Sequence, residues 1–232
     1  YTKMKNLYYL LFLAILHSII ARANSDKEHP YVILISIDGY RYDYNQLYKP
    51  KFLSKFEKNN FSAKSLRPVY PSKTFPNHIS AITGVHPEEH GIVANKFYDS
   101  QTKRIFSIGD EKEKRSPIWY KSPPLWVTLE RKGIKTASYF WPGSDVAIER
   151  TYPSYFKNYK RSVPGKEKIA QVIEWLKLPL NKRPKFISLY FSDVDSAGHH
   201  HGPDGHDHHG NDHDDSHMIE LDLGELSGGQ VQ

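Results

Sequence analysis

The 232-residue chain has no cysteine. Disulfides, thiolate metal sites and cysteine nucleophiles are therefore excluded, while the compartment stays open, because many exported bacterial proteins also lack disulfides. A basic stripe is missing too. The chain carries 32 lysines and arginines against 26 acids, a formal charge of +6 and a pI of about 9.2, a balance that alone would suggest a nucleic-acid or membrane partner. The basic residues are scattered among acids and no run carries interleaved aromatics. The sequence thus holds no nucleic-acid-binding motif, and its charge reads as an ordinary solvated surface. No internal repeat occurs. The one long apolar run, Leu7 to Ile20, is about 14 residues, short of the roughly 20 that span a bilayer.

That run has a clear frame. Lys3, Met4, Lys5 and Asn6 precede it, and Ala21-Arg22-Ala23 follows as a small-x-small cleavage pattern. Residues 1–23 are expected to be a signal peptide, with Met4 as the start and an uncleaved anchor as the alternative. Residues 24–30 form a polar linker. The mature chain is expected outside the cytoplasm, secreted or periplasmic, touching a membrane only through a retained signal segment.

Hydrophobic residues make up 38% and aromatics 13% of the chain, enough for a packed core in one domain or part of a larger one. Tyr31 to Ile37 is a continuous apolar, β-branched run, the pattern of a central strand buried on both faces. Ile134 to Phe140 and Pro184 to Phe191 read as further strands. Pro50 to Asn60, Ile79 to Thr83, Pro124 to Lys132 and Glu167 to Leu176 read as helices, the last amphipathic through Ile169, Val172, Ile173 and Leu176. Strands alternating with helices predict an α/β fold, a mostly parallel sheet flanked by helices. From His199 to His217, eight of nineteen residues are His and five are Asp. This low-complexity segment offers loose metal capture rather than a preorganised site.

Asp38 and Asp195 each follow an apolar strand. Ligands of open α/β sheets bind beyond the carboxyl ends of the strands, so two acids there can converge. His199 follows Asp195 by four residues, with Gly198 giving the chain freedom to turn. One carboxylate and one imidazole suit a borderline cation such as zinc. Either Asp alone reads equally as a turn or helix cap. Thr74 precedes Pro76, which fits the first turn of a helix. The helix N-terminus would favour an alkoxide or phosphoryl anion beside Thr74. The same position suits a threonine that only caps the helix.

Four segments then occur in order: Ile35-Ser-Ile-Asp38-Gly-Tyr-Arg41, Pro71-Ser-Lys-Thr74-Phe-Pro-Asn-His78, His90-Gly-Ile-Val-Ala-Asn95 and Asp195-Ser-Ala-Gly-His199-His-His-Gly-Pro203. With Trp141-Pro-Gly-Ser144 between them, they resemble the nucleotide pyrophosphatase/phosphodiesterase family of the alkaline phosphatase superfamily, over residues 31–203. The resemblance implies an alkaline phosphatase-like fold, incomplete at the C-terminus. It implies hydrolysis of phosphodiester or pyrophosphate bonds, with nucleotides as the expected small-molecule substrates, through a phosphothreonine. Thr74 would be the nucleophile and Asn95 the donor to a phosphoryl oxygen. Asp38, Thr74, Asp195 and His199 would hold metal. Phe75, Tyr190 and, less directly, Tyr159 would sandwich a base, with core packing as the alternative for each. Two divalent ions, zinc above all, are implied as cofactors.

Two departures qualify the match. The family often has Glu-Pro-Asp where this chain has Asp193-Val194-Asp195; the four-residue spacing to His199 favours Asp195 over Asp193. The family's downstream Asp-His-Gly motif and later His do not appear, and four residues cannot fully coordinate two metals. The expectation is a fragment of a longer enzyme or a damaged reading frame, with residues 204–232 holding the His/Asp-rich stretch and a truncated end of the domain. Alternatives are a hydrolase of lipid-derived phosphodiesters and a non-catalytic, secreted His-rich metal-binding protein. A sulfatase is disfavoured, because Thr74-Phe-Pro-Asn-His lacks the Cys or Ser followed by x-Pro-x-Arg that formylglycine formation needs.

Overall fold

A computed structural model of the protein describes residues 30–203. The expected signal segment (1–23), the linker up to residue 29 and residues 204–232 lie outside them. Among the described residues no helix is long and apolar enough to cross a membrane.

A parallel sheet organises the fold, with strand order β1-β6-β4-β5. Its members are β1 (Val32–Ile37), β4 (Thr136–Tyr139), β5 (Tyr155–Lys157) and β6 (Phe186–Phe191). A separate antiparallel hairpin pairs β2 (Lys96–Asp99) with β3 (Arg104–Ser107). The helices are α1 (Tyr44–Tyr48), α2 (Lys51–Asn59), α3 (Thr74–Thr83), α4 (Pro87–His90), α5 (Glu111–Lys114), α6 (Leu125–Arg131), α7 (Gly165–Leu176) and α8 (Asp193–His201). The α/β reading holds, and β5 and the hairpin are additions to it.

One strand differs from its expectation. The apolar run of β1 predicts a central strand, yet among the described residues β1 ends the sheet and is only partly buried. The centre belongs to β6, buried at all six positions. The physical reason is that an apolar run reports covered faces, whereas sheet order depends on which edges pair. Val32 to Ile37 run in register with Phe186 to Phe191, which brings the carboxyl ends of β1 and β6 level.

β6 contributes to two cores. Ile187, Leu189 and Phe191 pack with Ile169, Val172 and Trp175 of α7. Phe186 joins Ile79, Ile82, Trp126 and Trp141 in the second core. Burying each such side chain contributes about 1.5–3 kcal/mol. Lys168 of α7 is an exception in kind. Its ammonium lies 3.5 Å from Asp193 and over the Phe191 ring, and burial holds its pKa below the usual lysine range.

His90, the last residue of α4, is fully buried. Its Nδ1 accepts from the Ile92 N–H at 3.2 Å, leaving Nε2 to donate to Ser80 Oγ at 2.9 Å. Burial lowers its pKa to about 4, against about 6.5 for a free histidine. The unfolded chain therefore binds the extra proton first, and stability falls as pH drops from about 6.5 toward 4. Urea midpoints should decline between pH 7 and pH 5, and His90→Gln should flatten that decline. An equal decline in the variant would refute this assignment.

Candidate active site

Asp38 follows β1 directly. Its N–H donates to the Phe191 carbonyl at 2.9 Å, tying the end of β1 to the end of β6. Its carboxylate accepts from the Tyr190 hydroxyl at 2.8 Å. Next to it, Gly39 has φ +72°, and a Cβ there would come within 2.8 Å of the Asp195 Cα. Only glycine accommodates both that backbone and that approach. Asp38 and Asp195, 157 positions apart in the chain, are brought together by this contact.

Asp195 lies in the first turn of α8. The sequence reading gave Gly198 a turning role before His199; instead the helix runs through Gly198 to His201. Two acids in the first turn suit the helix dipole, and one internal glycine costs only roughly 1 kcal/mol, too little to end the helix. His199 thus stands one turn from Asp195, Nε2 to Oδ1 3.6 Å, with its side chain 78% exposed. Burial, and after it the Asp38 charge, raises the Asp195 pKa above the usual carboxylate range.

Thr74 is the first residue of α3. Lys73 occupies the cap position, without a side-chain cap bond. The helix-cap alternative for Thr74 therefore finds no support in the geometry. Asn77 secures the preceding loop: its Oδ1 accepts from the Val69 N–H at 2.8 Å, and its Nδ2 donates to the Pro71 and Lys73 carbonyls at 3.1 and 2.9 Å. Asn95 accepts from the Phe75 N–H at 3.0 Å through Oδ1, which leaves its NH2 group to donate elsewhere.

His78 went unassigned in the sequence and turns out to be the hub. It is buried, with Nδ1 donating to the Thr74 carbonyl at 2.7 Å and Nε2 accepting from Ser36 Oγ at 2.8 Å. It links the turn that carries Thr74 to the strand that carries Asp38. Trp141 Nε1 donates to the His78 carbonyl at 3.1 Å, and the Tyr190 ring meets its imidazole edge-on at 5.0 Å. Burial keeps the His78 pKa low, while the charges of Asp38 and Asp195 oppose that shift. Both carboxylates thus act on the ring that holds Thr74. The i, i+4 spacing of Thr74 and His78 was the one sequence signal for this pairing.

A cavity of about 430 Å³ opens in front of Thr74. Phe75, Phe140, Trp141, Tyr159, Tyr190 and Asp195 contribute to its wall. Phe140 takes a left-handed backbone, φ +68°, unusual for a bulky residue; the chain turns there between β4 and Trp141. Tyr159 shares a hydrogen bond with Ser192 Oγ at 3.1 Å and sets its ring edge-on to Phe140 at 5.2 Å. Phe75 packs against Phe106. Tyr190 is nearly buried, its hydroxyl engaged by Asp38, and burial raises its pKa.

The structure thus brings Thr74, Phe75, Tyr159, Tyr190 and Asp195 to one cavity, with Asp38 behind Tyr190, Asn95 behind Phe75, and His199 out on α8. Among the described residues no three His, Asp or Glu side chains form a ready metal cluster.

Comparison with known proteins gives a consistent picture. The family model described as type I phosphodiesterase / nucleotide pyrophosphatase matches residues 32–219. Ectonucleotide pyrophosphatase/phosphodiesterase family member 1 of Mus musculus is 46% identical over 181 residues, 77% of this chain and 20% of that protein. Family member 3 of Bos taurus is 44% identical over 176 residues, 75% of this chain and 20% of that protein. A solved structure of murine ectonucleotide pyrophosphatase/phosphodiesterase 5, an inactive variant in complex with AMP, superimposes with a TM-score of 0.71 at 33% identity, covering 75% of this chain and 46% of that one. The chain spans about a fifth of the length of the curated relatives it matches.

Proposed function

Because the chain belongs to the type I phosphodiesterase / nucleotide pyrophosphatase family, within the alkaline phosphatase superfamily, we propose that it supplies the nucleophile half of a metal-dependent hydrolase of phosphodiester or pyrophosphate bonds in nucleotides. The observation that carries this reading is Thr74. It opens a helix, its side chain is not spent on a cap, and it faces a cavity that also holds Asp195.

Thr74 Oγ gives up its proton to solvent and attacks phosphorus, and the bond to the leaving oxygen breaks. The leaving oxygen takes up a proton from solvent. Water then cleaves the phosphothreonine, releasing a phosphate monoester and restoring the hydroxyl. The N-terminus of α3 favours the negative charge on the reacting groups. The NH2 of Asn95 donates to a nonbridging oxygen as its charge grows. His78 holds the Thr74 carbonyl and so orients the nucleophile. Phe75 and Tyr159, with Tyr190 as floor, take a planar base.

Asp38, Thr74, Asp195 and His199 would hold a divalent cation, with zinc the proposed ion. Their oxygen and imidazole donors match its chemistry, and the crowding of Asp38 on Asp195 is relieved by a positive charge. When bound, such an ion lowers the pKa of a coordinated hydroxyl and neutralises phosphate charge. The "ecto" in the relatives' names supports an extracellular site of action for this chain as well. A lipid-derived substrate is less supported, because Lys114 and Asp145 on the cavity wall do not suit an acyl chain.

Protein encompassing this chain should hydrolyse p-nitrophenyl thymidine monophosphate, lose that activity on chelation, and regain it with zinc. Hydrolysis indifferent to chelation would overturn the metal assignment. Absence of hydrolysis in zinc-loaded protein would overturn the reading as a whole.

A further inference from the structure

Asn60-Phe61-Ser62 is the one Asn-x-Ser/Thr triplet in the chain with a residue other than proline in its middle. In a protein that enters the secretory route of a eukaryotic cell, such a triplet is the acceptor for an N-linked oligosaccharide. Triplets of this kind also arise by chance inside folded cores, where a sugar could not be housed. The place of this one in the fold therefore decides its meaning.

The triplet begins where α2 stops. Asn60 leaves that helix with extended backbone, φ −135° and ψ −178°. Residues 55–68 are all exposed, and from residue 61 to residue 73 the chain enters neither helix nor strand. Phe61 stands wholly clear of the fold. All three residues can thus enter the cleft of a modifying enzyme without any regular element being opened. The Asn60 amide is also suited to carrying a sugar. Its Nδ2 donates to the Phe56 carbonyl at 3.0 Å, which satisfies one of the open carbonyls at the end of α2. That bond uses one of two N–H groups, and a substituted amide still has one. Ser62 Oγ makes a long contact of 3.4 Å with the Ala63 carbonyl, so its hydroxyl is not tightly held. Neither Asn60 nor Ser62 belongs to the cavity wall before Thr74.

We propose that Asn60 is a glycosylation site, carrying an N-linked oligosaccharide at the end of α2. The donor is a lipid pyrophosphate-linked oligosaccharide, and a transferase of the secretory route catalyses the step. Asn60 Nδ2 attacks the anomeric carbon of the first sugar. A bond forms between Nδ2 and that carbon, and the bond from the carbon to the pyrophosphate oxygen breaks. The lipid pyrophosphate leaves with the electron pair, and Nδ2 gives up one proton to a base of the transferase. The proposal rests on the extracellular site of action argued above, because donor and transferase meet a chain only as it is exported.

The test expresses protein encompassing this chain, with residues 1–23 in place, in cultured animal cells and collects it from the medium. A glycan-releasing amidase in heavy-oxygen water converts each glycosylated asparagine to a labelled aspartate. Trypsin then cuts after Lys58 and Lys64 and delivers the site on the peptide of residues 59–64. That peptide should carry the heavy label at position 60, and without the amidase it should be missing at its bare mass. Asn60→Gln and Ser62→Ala should each lose one glycan from the intact protein, read as one step in gel mobility, whereas Ser62→Thr should keep it. A secreted parent protein with a bare peptide overturns the proposal, as would happen if a further part of the protein covered the triplet. A label at position 60 that survives Ser62→Ala overturns it as well. Protein that stays in the cytosol overturns the extracellular reading, and the glycan with it.

Discussion

Replacing Thr74 with alanine is expected to lower kcat/KM for p-nitrophenyl thymidine monophosphate by at least about a thousandfold, because the proposed covalent intermediate forms on its hydroxyl. Stability should stay within about 0.5 kcal/mol of the parent. That second expectation follows from the cap geometry. Thr74 stands one residue inside α3, after Lys73, and the helix end does not depend on its side chain. A capping threonine would behave in the opposite way, with a stability loss of about 1 kcal/mol and little change in rate. Thermal denaturation and steady-state kinetics on the same preparation separate the two outcomes. Activity that survives Thr74→Ala would end the nucleophile assignment.

The second large effect concerns a residue with no side chain. At Gly39→Ala the new methyl would meet the backbone of Asp195, Cα at 2.8 Å and N at 3.1 Å, on a residue already at φ +72°. Backbone atoms cannot rotate out of the way. The left-handed strain alone costs about 1–3 kcal/mol, and each 1 kcal/mol lowers the Tm of a domain this size by about 2–4 °C. Relief comes from pushing the start of α8 away from β1, which separates Asp38 from Asp195. A shift of about 1 Å can cost a hundredfold in rate, so kcat/KM should fall at least that far. Gly84→Ala is the matched comparison. It has φ +76° but nothing within 4 Å of its added Cβ, so it should lower Tm while leaving kcat/KM close to the parent. If both variants lose activity equally, the contact with Asp195 is not what positions the acids.

Much of this arrangement is written in local sequence, and some of it is not. Asp38 and Asp195 were legible because each follows an apolar strand, and parallel strands deliver their carboxyl ends to one side of a sheet. Thr74 was legible because Pro76 marks a first helical turn. The hub role of His78 was not, since its partners Ser36 and Trp141 lie 42 and 63 positions away, and no local pattern encodes such contacts. The place of β1 at the end of the described sheet was not legible either, because hydrophobicity carries no information about edge pairing. β5 spans three residues, too few for a period to emerge. Gly198 misled for a simpler reason: one glycine inside a helix costs only about 1 kcal/mol, too little to end it.

The loop before Thr74 bears on the timing of the proposed catalysis. Three hydrogen bonds from Asn77 hold residues 69 to 73, so the freedom of that segment is surrendered when the chain folds. Ordering one residue costs about 1–2 kcal/mol at room temperature. A loop left loose would meet that cost again at each turnover, as an unfavourable activation entropy. Fastened by one amide, it meets the cost a single time in the life of the molecule, and under the proposed reaction the temperature dependence of the rate is left to the bonds made and broken at phosphorus.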